Sequence, residues 1–133
     1  MKLLKSGNPL LTTLKADYSK ATFPLESDVL DLIDDSKDCL RSLTGFWKGK
    51  GMSVAATQLG SDLPLFVMCH YKTWYTPQMY RKFMTVIRPK ITGYSEETCQ
   101  AWEGCISNDD VLCKLERPTC LTVEFQSLKG QTH

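Results

Sequence analysis

A thiol beside a glycine is the feature of this sequence with the clearest chemical use. Residues 103–107 read Glu-Gly-Cys-Ile-Ser, and the glycine lets backbone amides approach whatever the Cys105 sulfur binds. A thiolate is a strong, soft ligand for zinc or ferrous iron, and two imidazoles beside it would leave a fourth position for water. A buried structural cysteine in a turn is the alternative. The five residues alone leave both interpretations open.

A second candidate group is the side-chain amide of Gln58, which follows the glycine-bounded residues 51–57. An amide N–H can donate a hydrogen bond to a carbonyl oxygen, which is oxyanion-hole chemistry when that carbonyl is attacked. Most glutamines are solvated surface residues, so Gln58 indicates a site only in combination with other groups.

The two histidines add no metal site of their own. His70 follows Cys69 at the end of an apolar run, where neighbouring strand residues point to opposite faces, so the pair does not predict a chelate. His133 is the last residue, and we expect it to be disordered rather than a ligand. The aromatic residues of 71–80 favour core or rim packing, with a binding edge as the alternative.

One helix and several strands must position these groups. Apolar residues recur at three- and four-residue steps between Ser27 and Leu43, which predicts a helix with Ser27 as its N-cap and Arg41 near its end. Short β-prone runs follow at 63–69, 83–87, 91–94, 111–115 and 120–125. The sequence therefore predicts an α+β fold, with one N-terminal helix packed on mostly antiparallel short strands.

Length and composition limit the function classes. A chain of 133 residues with a net charge of +1 predicts one domain and lacks the basic stripe that direct nucleic-acid binding needs. We find neither a secretory signal nor a run of roughly 18 to 20 apolar residues, so we expect a soluble intracellular protein without a membrane partner. The six scattered cysteines form no Cys-x-x-Cys pair, which favours reduced thiols.

Together, the two motifs and their flanks resemble the peptide deformylase family over essentially the whole chain. Residues 51–58 resemble the first family motif, Gly-hydrophobic-Gly-hydrophobic-Ala-Ala-x-Gln, and residues 103–107 match the second, Glu-Gly-Cys-hydrophobic-Ser. The resemblance implies a peptide-deformylase-like fold over residues 1–133. It also implies a metal-dependent hydrolase that removes the N-formyl group from the initiator methionine of nascent polypeptides, in the bacterial cytoplasm or an organelle with formyl-Met initiation.

The resemblance also assigns site residues. Cys105 would be a ligand of Fe²⁺ or Zn²⁺, and the Gln58 side chain and the Ile106 backbone amide would hold the formyl oxygen. Glu103 is the third candidate catalytic residue. The residues implied to lie along the substrate are Gly51, Met52, Val54 and Gly104.

Three departures from the family pattern stand out. Ser53 replaces the second glycine of the first motif, and Leu112 stands where the family usually has an arginine, so a buried Glu103 would lose a charge partner. The family's His-Glu-x-x-His, which supplies two metal ligands and the proton-handling glutamate, appears nowhere in the 133 residues. We therefore expect the C-terminal metal-binding helix to be absent, the domain to be incomplete, and the chain alone to lack both metal and activity.

Four hypotheses follow. The chain is a shortened copy or a piece of a working deformylase, or a non-catalytic protein that binds formyl-Met peptides or the ribosome and its nascent chain. Alternatively, a partner subunit supplies the helix, or the domain has drifted to an unrelated role. Loss of the helix also predicts an uncovered apolar face, with an oligomer, a partner or poor solubility as the consequence.

Overall fold

The computed structural model describes residues 1–43, 53–70 and 82–133. Its helices are α1 (Leu10–Thr13), α2 (Ser27–Leu43) and a short 3-10 helix (Ala56–Leu59). Its strands are β1 (Ser53–Ala55), β2 (Leu65–His70), β3 (Lys82–Tyr94), β4 (Thr98–Cys105), β5 (Asn108–Pro118) and β6 (Leu121–Gln126). The strand pairs of the described residues are all antiparallel, which agrees with the predicted α+β class.

Helix α2 has the bounds that the apolar periodicity predicts. Its buried positions follow three- and four-residue steps, so one stripe of the helix faces the core formed with β1 and β2. These positions are Val29, Leu32, Ile33, Ser36 and Leu40. Ser36 is tolerated there because its hydroxyl donates to the Leu32 carbonyl at 2.7 Å.

The cap of α2 differs from the prediction by one residue. The Leu30 N–H donates to the Glu26 carbonyl at 3.2 Å, which makes Glu26 the N-cap and Ser27 the first helical residue. The Asp28 carboxylate accepts from the Val29 N–H at 2.9 Å, where negative charge suits the helix dipole. The prediction that Ser27 is the N-cap was therefore wrong.

The larger sheet has the strand order β1-β2-β3-β6, with β1 at one edge. Strand β3 contains both predicted runs, 83–87 and 91–94, as the two halves of one strand. The first half pairs with β2 and the second with β6, with irregular register at the join, where Arg88 has a φ of 50°. The Arg88 guanidinium steadies this join by donating to the Lys20 carbonyl at 2.8 and 3.2 Å.

The smaller sheet is the hairpin of β4 and β5. The prediction missed β4, and it also missed β1, which at three residues is too short for alternation to show. The hairpin exposes large apolar side chains, including Trp102 and Leu112, which belong to adjacent cross-strand pairs of one face. An apolar surface of this kind was expected from the sequence. None of the described helices is long and apolar enough to cross a membrane.

Candidate functional site

Gln58 occupies the 3-10 helix directly after edge strand β1. Buried Val54, Ala56 and Leu59 anchor this segment in the core, so its backbone is held by packing. The Gln58 Oε1 accepts from the Ala55 N–H at 2.9 Å, and this bond fixes which way the amide points. The Nε2 group is therefore directed away from β1 and is available to act as a donor.

That donor points at the turn of the hairpin. Gln58 Nε2 lies 3.0 Å from Ser107 Oγ and 3.5 Å from Cys105 Sγ. Cys105 ends β4, and Ile106 and Ser107 form the two-residue turn before β5. The structure thus brings together the key residues of the two sequence motifs, which are 47 residues apart in the chain.

Cys105 is exposed, whereas Ser107 is buried. The interpretation of Cys105 as a buried structural cysteine is therefore wrong. All six cysteines are free thiols, and burial raises the pKa of one of them, Cys39. Exposure leaves the Cys105 sulfur accessible to a ligand or reagent from solvent.

Glu103 has a charge partner that the sequence analysis missed. Arg117 donates from Nε and from an Nη to the two carboxylate oxygens of Glu103, at 2.8 and 2.9 Å. The hydrogen bonds from Arg117 lower the pKa of Glu103 below its ordinary value, and the same contact raises the pKa of Arg117. The sequence analysis expected a lost charge partner only for a buried Glu103. Glu103 is half-buried rather than enclosed, so that condition is not met, and an arginine five residues after Leu112 reaches it.

Strand register explains why Arg117 reaches Glu103. The cross-strand pairs Cys99↔Arg117 and Glu103↔Cys113 lie on one face, since positions two apart along a strand share a face. The register shifts between Gly104 and Cys105, which pairs with Asn108 at the turn. The signal that could have identified Arg117 is the alternation of faces along β5, which places Arg117 and Cys113 on the same face.

Gly104 lies on the opposite face, paired with Leu112. A Cβ at Gly104 would lie 3.1 Å from Leu112 Cδ2, so the leucine side chain occupies the space that the glycine leaves open. Val54 on edge strand β1 is fully buried, backbone included, so the structure leaves no accessible surface at this residue for a substrate. Gly51 and Met52 lie outside the described residues, as do the aromatic residues of 71–80. The roles assigned to these positions stay predictions.

The donor set around Cys105 does not by itself fit a closed metal site. Within residues 1–43, 53–70 and 82–133, no three His, Cys, Asp or Glu side chains lie close enough together to hold a metal ion. One exposed thiol with an amide beside it offers a single soft ligand, and a catalytic zinc or iron site takes about three protein ligands. We therefore assign no reaction step to a metal held by these residues alone.

His133 is ordered, contrary to the sequence-based expectation. Its N–H and carbonyl pair with the backbone of Phe125 at 2.9 and 3.1 Å. The two rings stack with their centroids 5.5 Å apart. These contacts join the last residues to β6, away from the Gln58 and Cys105 pair.

The fold and the site define a class of protein: an α+β domain with a glutamine amide beside a cysteine at a hairpin turn. Comparison with known proteins identifies its family. A family model described as polypeptide deformylase matches residues 1–133. This chain belongs to that family.

The curated relatives are longer than this chain. The peptide deformylase of Psychrobacter cryohalolentis is 27% identical over 130 residues, which cover 98% of this chain and 62% of the relative. That of Bartonella tribocorum is 27% identical over 115 residues, covering 86% and 60% respectively. The chain thus spans less than two thirds of the length of these relatives.

Solved structures agree on the fold. A probable peptide deformylase from Synechococcus phage S-SSM7 matches with a TM-score of 0.78 and 23% identity, over 100% of this chain and 80% of that one. The Thermotoga maritima peptide deformylase matches with a TM-score of 0.75 and 22% identity, over 99% and 77%. The predicted peptide-deformylase-like fold is confirmed.

Proposed function

We propose that this chain forms the formyl-peptide-binding half of a peptide deformylase and supplies one of its metal ligands. The observation that carries the proposal is the position of Gln58 Nε2, 3.5 Å from Cys105 Sγ and 3.0 Å from Ser107 Oγ. The family activity is hydrolytic removal of the N-formyl group from the initiator methionine of nascent polypeptides. A cell compartment with formyl-Met initiation is the matching location.

The proposed oxygen-binding groups are the Gln58 side chain and the Ile106 backbone amide. The Gln58 amide is oriented before any substrate arrives, because its oxygen is already bonded to the Ala55 N–H. Pre-orientation matters because a donor that needs no reorganisation stabilises developing negative charge best. A formyl oxygen beside Cys105 would take the amide hydrogen that now faces the sulfur.

The peptide backbone would lie between two strand edges. Strand β1 is an edge of the larger sheet, and β4 is an edge of the hairpin. An extended peptide can add to such an edge through main-chain hydrogen bonds. Gly104 on β4 is the described residue that we propose to contact it, joined by Gly51 and Met52, whereas Val54 is fully buried and supports β1 from the core side.

Hydrolysis needs more than these residues. Cys105 would supply a thiolate to Fe²⁺ or Zn²⁺, and the metal would supply Lewis-acid activation of water. Two further ligands and a proton-handling carboxylate must come from outside the described residues. We therefore propose that the 133 residues alone bind the peptide without turning it over.

A turnover assay tests this proposal. The chain is incubated with Fe²⁺ or Zn²⁺ and a formyl-methionyl tripeptide, and released formate and free amine are measured. We expect no release from this chain, and release from a longer natural product that adds the missing ligands. Cys105→Ser should abolish release from the longer form, since an alcohol replaces the thiolate ligand. Unchanged release from that variant contradicts the assigned ligand.

The second candidate is a non-catalytic protein that binds formyl-Met peptides, alone or at the ribosome. The observation in its favour is that no three metal-ligating side chains cluster in the described part of the chain. The natural gene product separates the two candidates. Selective binding of formylated peptide without formate release, at any metal loading, favours the binding protein.

Self-association through the exposed hairpin face is a related proposal. Trp102 and Leu112 are 68% and 67% exposed, which is unusual for such large apolar side chains. Sedimentation analysis over a range of concentrations tests it, with Leu112→Ser as the weakened variant. A monomer at every concentration contradicts self-association and also the hypothesis that a second copy completes the site.

A further inference from the structure

Three consecutive residues near the start of the chain contact both motifs of the candidate site. The Leu4 N–H donates to the Gln58 carbonyl at 2.8 Å, and the Ser6 N–H donates to the Ser107 carbonyl at 2.7 Å. Between them, Lys5 Nζ donates to the Ile106 carbonyl at 2.9 Å. Residues 4–6, which we name the N-terminal clamp, thus connect the 3-10 helix to the hairpin turn.

We infer that the N-terminal clamp sets the separation between the Gln58 amide and the turn that carries Cys105, and that Leu4, Lys5 and Ser6 are positioning residues. The functional consequence rests on the proposed function. The structural part, that the clamp holds these two elements together, does not.

The need for a clamp follows from the sheet arrangement. Gln58 belongs to the segment after β1 in the larger sheet, whereas Cys105 and Ser107 belong to the separate hairpin. Ile106 packs against the core, and Gln58 bonds the turn through its side chain, but both contacts run through rotatable torsions and leave the two backbones some freedom. Backbone bonds from one short segment to both elements remove that freedom.

The length of the clamp limits the distance that it can span. Leu4 and Ser6 are two residues apart, so their Cα atoms are at most about 7 Å apart in a fully extended chain. Both backbone partners must therefore stay within a few ångströms of a fixed separation. Leu3 packs against the core and the Asn8 N–H donates to the Lys5 carbonyl at 3.0 Å, so the clamp is itself anchored on both sides.

Lys5 adds charge to this geometry. Its ammonium contacts the carbonyl of Ile106, which lies in the turn beside the proposed oxygen-binding amide. Hydrogen bonds with one ionised partner are stronger than neutral ones. Lys5 therefore holds the turn in one conformation, a role in which it need not touch the substrate.

Two variants remove the clamp contacts one at a time. Ser6→Pro deletes the N–H that bonds Ser107, and Ser6→Ala is its matched control because it keeps that N–H. Lys5→Met deletes the ammonium but keeps an apolar stem of similar length, and Lys5→Arg should rescue it. Lys15→Met is the control for loss of one exposed positive charge.

The first readout is amide hydrogen exchange at residues 56–59 and 104–108, measured by mass spectrometry on the full chain. We expect Ser6→Pro and Lys5→Met to speed exchange in both segments by about three- to tenfold, the effect of losing one hydrogen bond, with α2 unchanged. The second readout is affinity for a formyl-methionyl tripeptide, which should fall by a similar factor.

The outcomes separate this inference from the proposed function. Exchange unchanged in both segments overturns the clamp, whatever happens to peptide binding. If exchange rises as expected but the wild-type chain binds no formyl peptide, the clamp stands and the proposed function fails. If Ser6→Pro does not fold, the clamp is tested by comparing hydrogen exchange in Lys5→Met with that in Lys5→Arg.

Discussion

Arg117 donates hydrogen bonds to both carboxylate oxygens of Glu103, two residues before Cys105, at 2.8 and 2.9 Å. A planar guanidinium matches a carboxylate in this way, whereas a lysine cannot make the same paired contact. The pair spans the hairpin diagonally, from the far end of β5 to the residue two before the thiol. It joins β5 to β4, the strand that ends at Cys105.

The Glu103–Arg117 pair should be visible in the pH dependence of stability. The pKa of Glu103 is lowered in the folded state from 4.5, so the contribution is present above that pH and is lost as pH falls through the lower folded value. Thermal melts of wild type and Glu103→Gln should therefore differ at neutral pH and converge in acid. Arg117→Lys should lose part of the stability that the pair contributes at neutral pH. A difference in melting temperature between wild type and Glu103→Gln that persists unchanged in acid contradicts a stabilising Glu103–Arg117 pair.

The same substitution at two glycines should have opposite effects. A methyl at Gly104 would lie 3.1 Å from the flexible end of exposed Leu112 and 3.8 Å from the Val111 carbonyl oxygen. Because the leucine end can move, Gly104→Ala should stabilise by about 0.4–1 kcal/mol through the unfolded state. Gly130 has a φ of +77°, and its added Cβ would lie 2.9 Å from the Phe23 ring. Gly130→Ala should destabilise by about 1–3 kcal/mol. Urea unfolding checks both signs, and equal shifts would contradict the geometry.

Removing a buried apolar side chain from α2 should show how much the stability of the fold depends on this helix. Ile33 is buried in the core, so Ile33→Ala should cost about 2–5 kcal/mol of unfolding free energy. Leu30→Ala on the outer face of the same helix is the matched control, and it should change stability by less than about 1 kcal/mol. Chemical denaturation of both variants measures the difference. Equal losses of stability in the two variants would contradict the assignment of Ile33 to the buried face and Leu30 to the outer face.

The Ser107 hydroxyl should matter more than its size suggests. It is buried and accepts the Gln58 amide hydrogen, so Ser107→Ala removes the shorter of the two Gln58 Nε2 contacts and should cost about 0.5–1.5 kcal/mol. Ser42→Ala, on an exposed turn of α2, is the control. The unfolding free energy of each variant is compared with wild type. A loss no larger than that of the control would mean that the Gln58 contact is not maintained in solution.

The fold was more predictable than the site because its signals are local. The apolar spacing of 27–43 specifies α2, and the β-prone runs identify most strands. The break at Arg88 and Pro89 suggested two strands because the sequence cannot show a bulge that lets one strand continue. Strand β4 was missed because Gln100, Glu103 and Gly104 interrupt its apolar pattern.

The site residues found from sequence are those that the family motifs contain. Gln58 and Cys105 were predicted to act together, and the structure places them 3.5 Å apart. Arg117 and the N-terminal clamp were missed because their roles depend on strand register and on contacts between distant segments. The alternation of faces along β5 points to Arg117 only once the pairing register with β4 is known, and the sequence does not give that register.

The most direct measurement for the central claim is an NMR titration of the ¹⁵N-labelled chain with a formyl-methionyl tripeptide and with the same peptide lacking the formyl group. The Gln58 side-chain NH₂ signals are assigned by their loss in Gln58→Ala. We expect those signals and the Ile106 amide to shift with the formylated peptide and to stay in place with the other. Binding that leaves both signals unmoved, or equal shifts with both peptides, would contradict the claim that these groups hold a formyl oxygen.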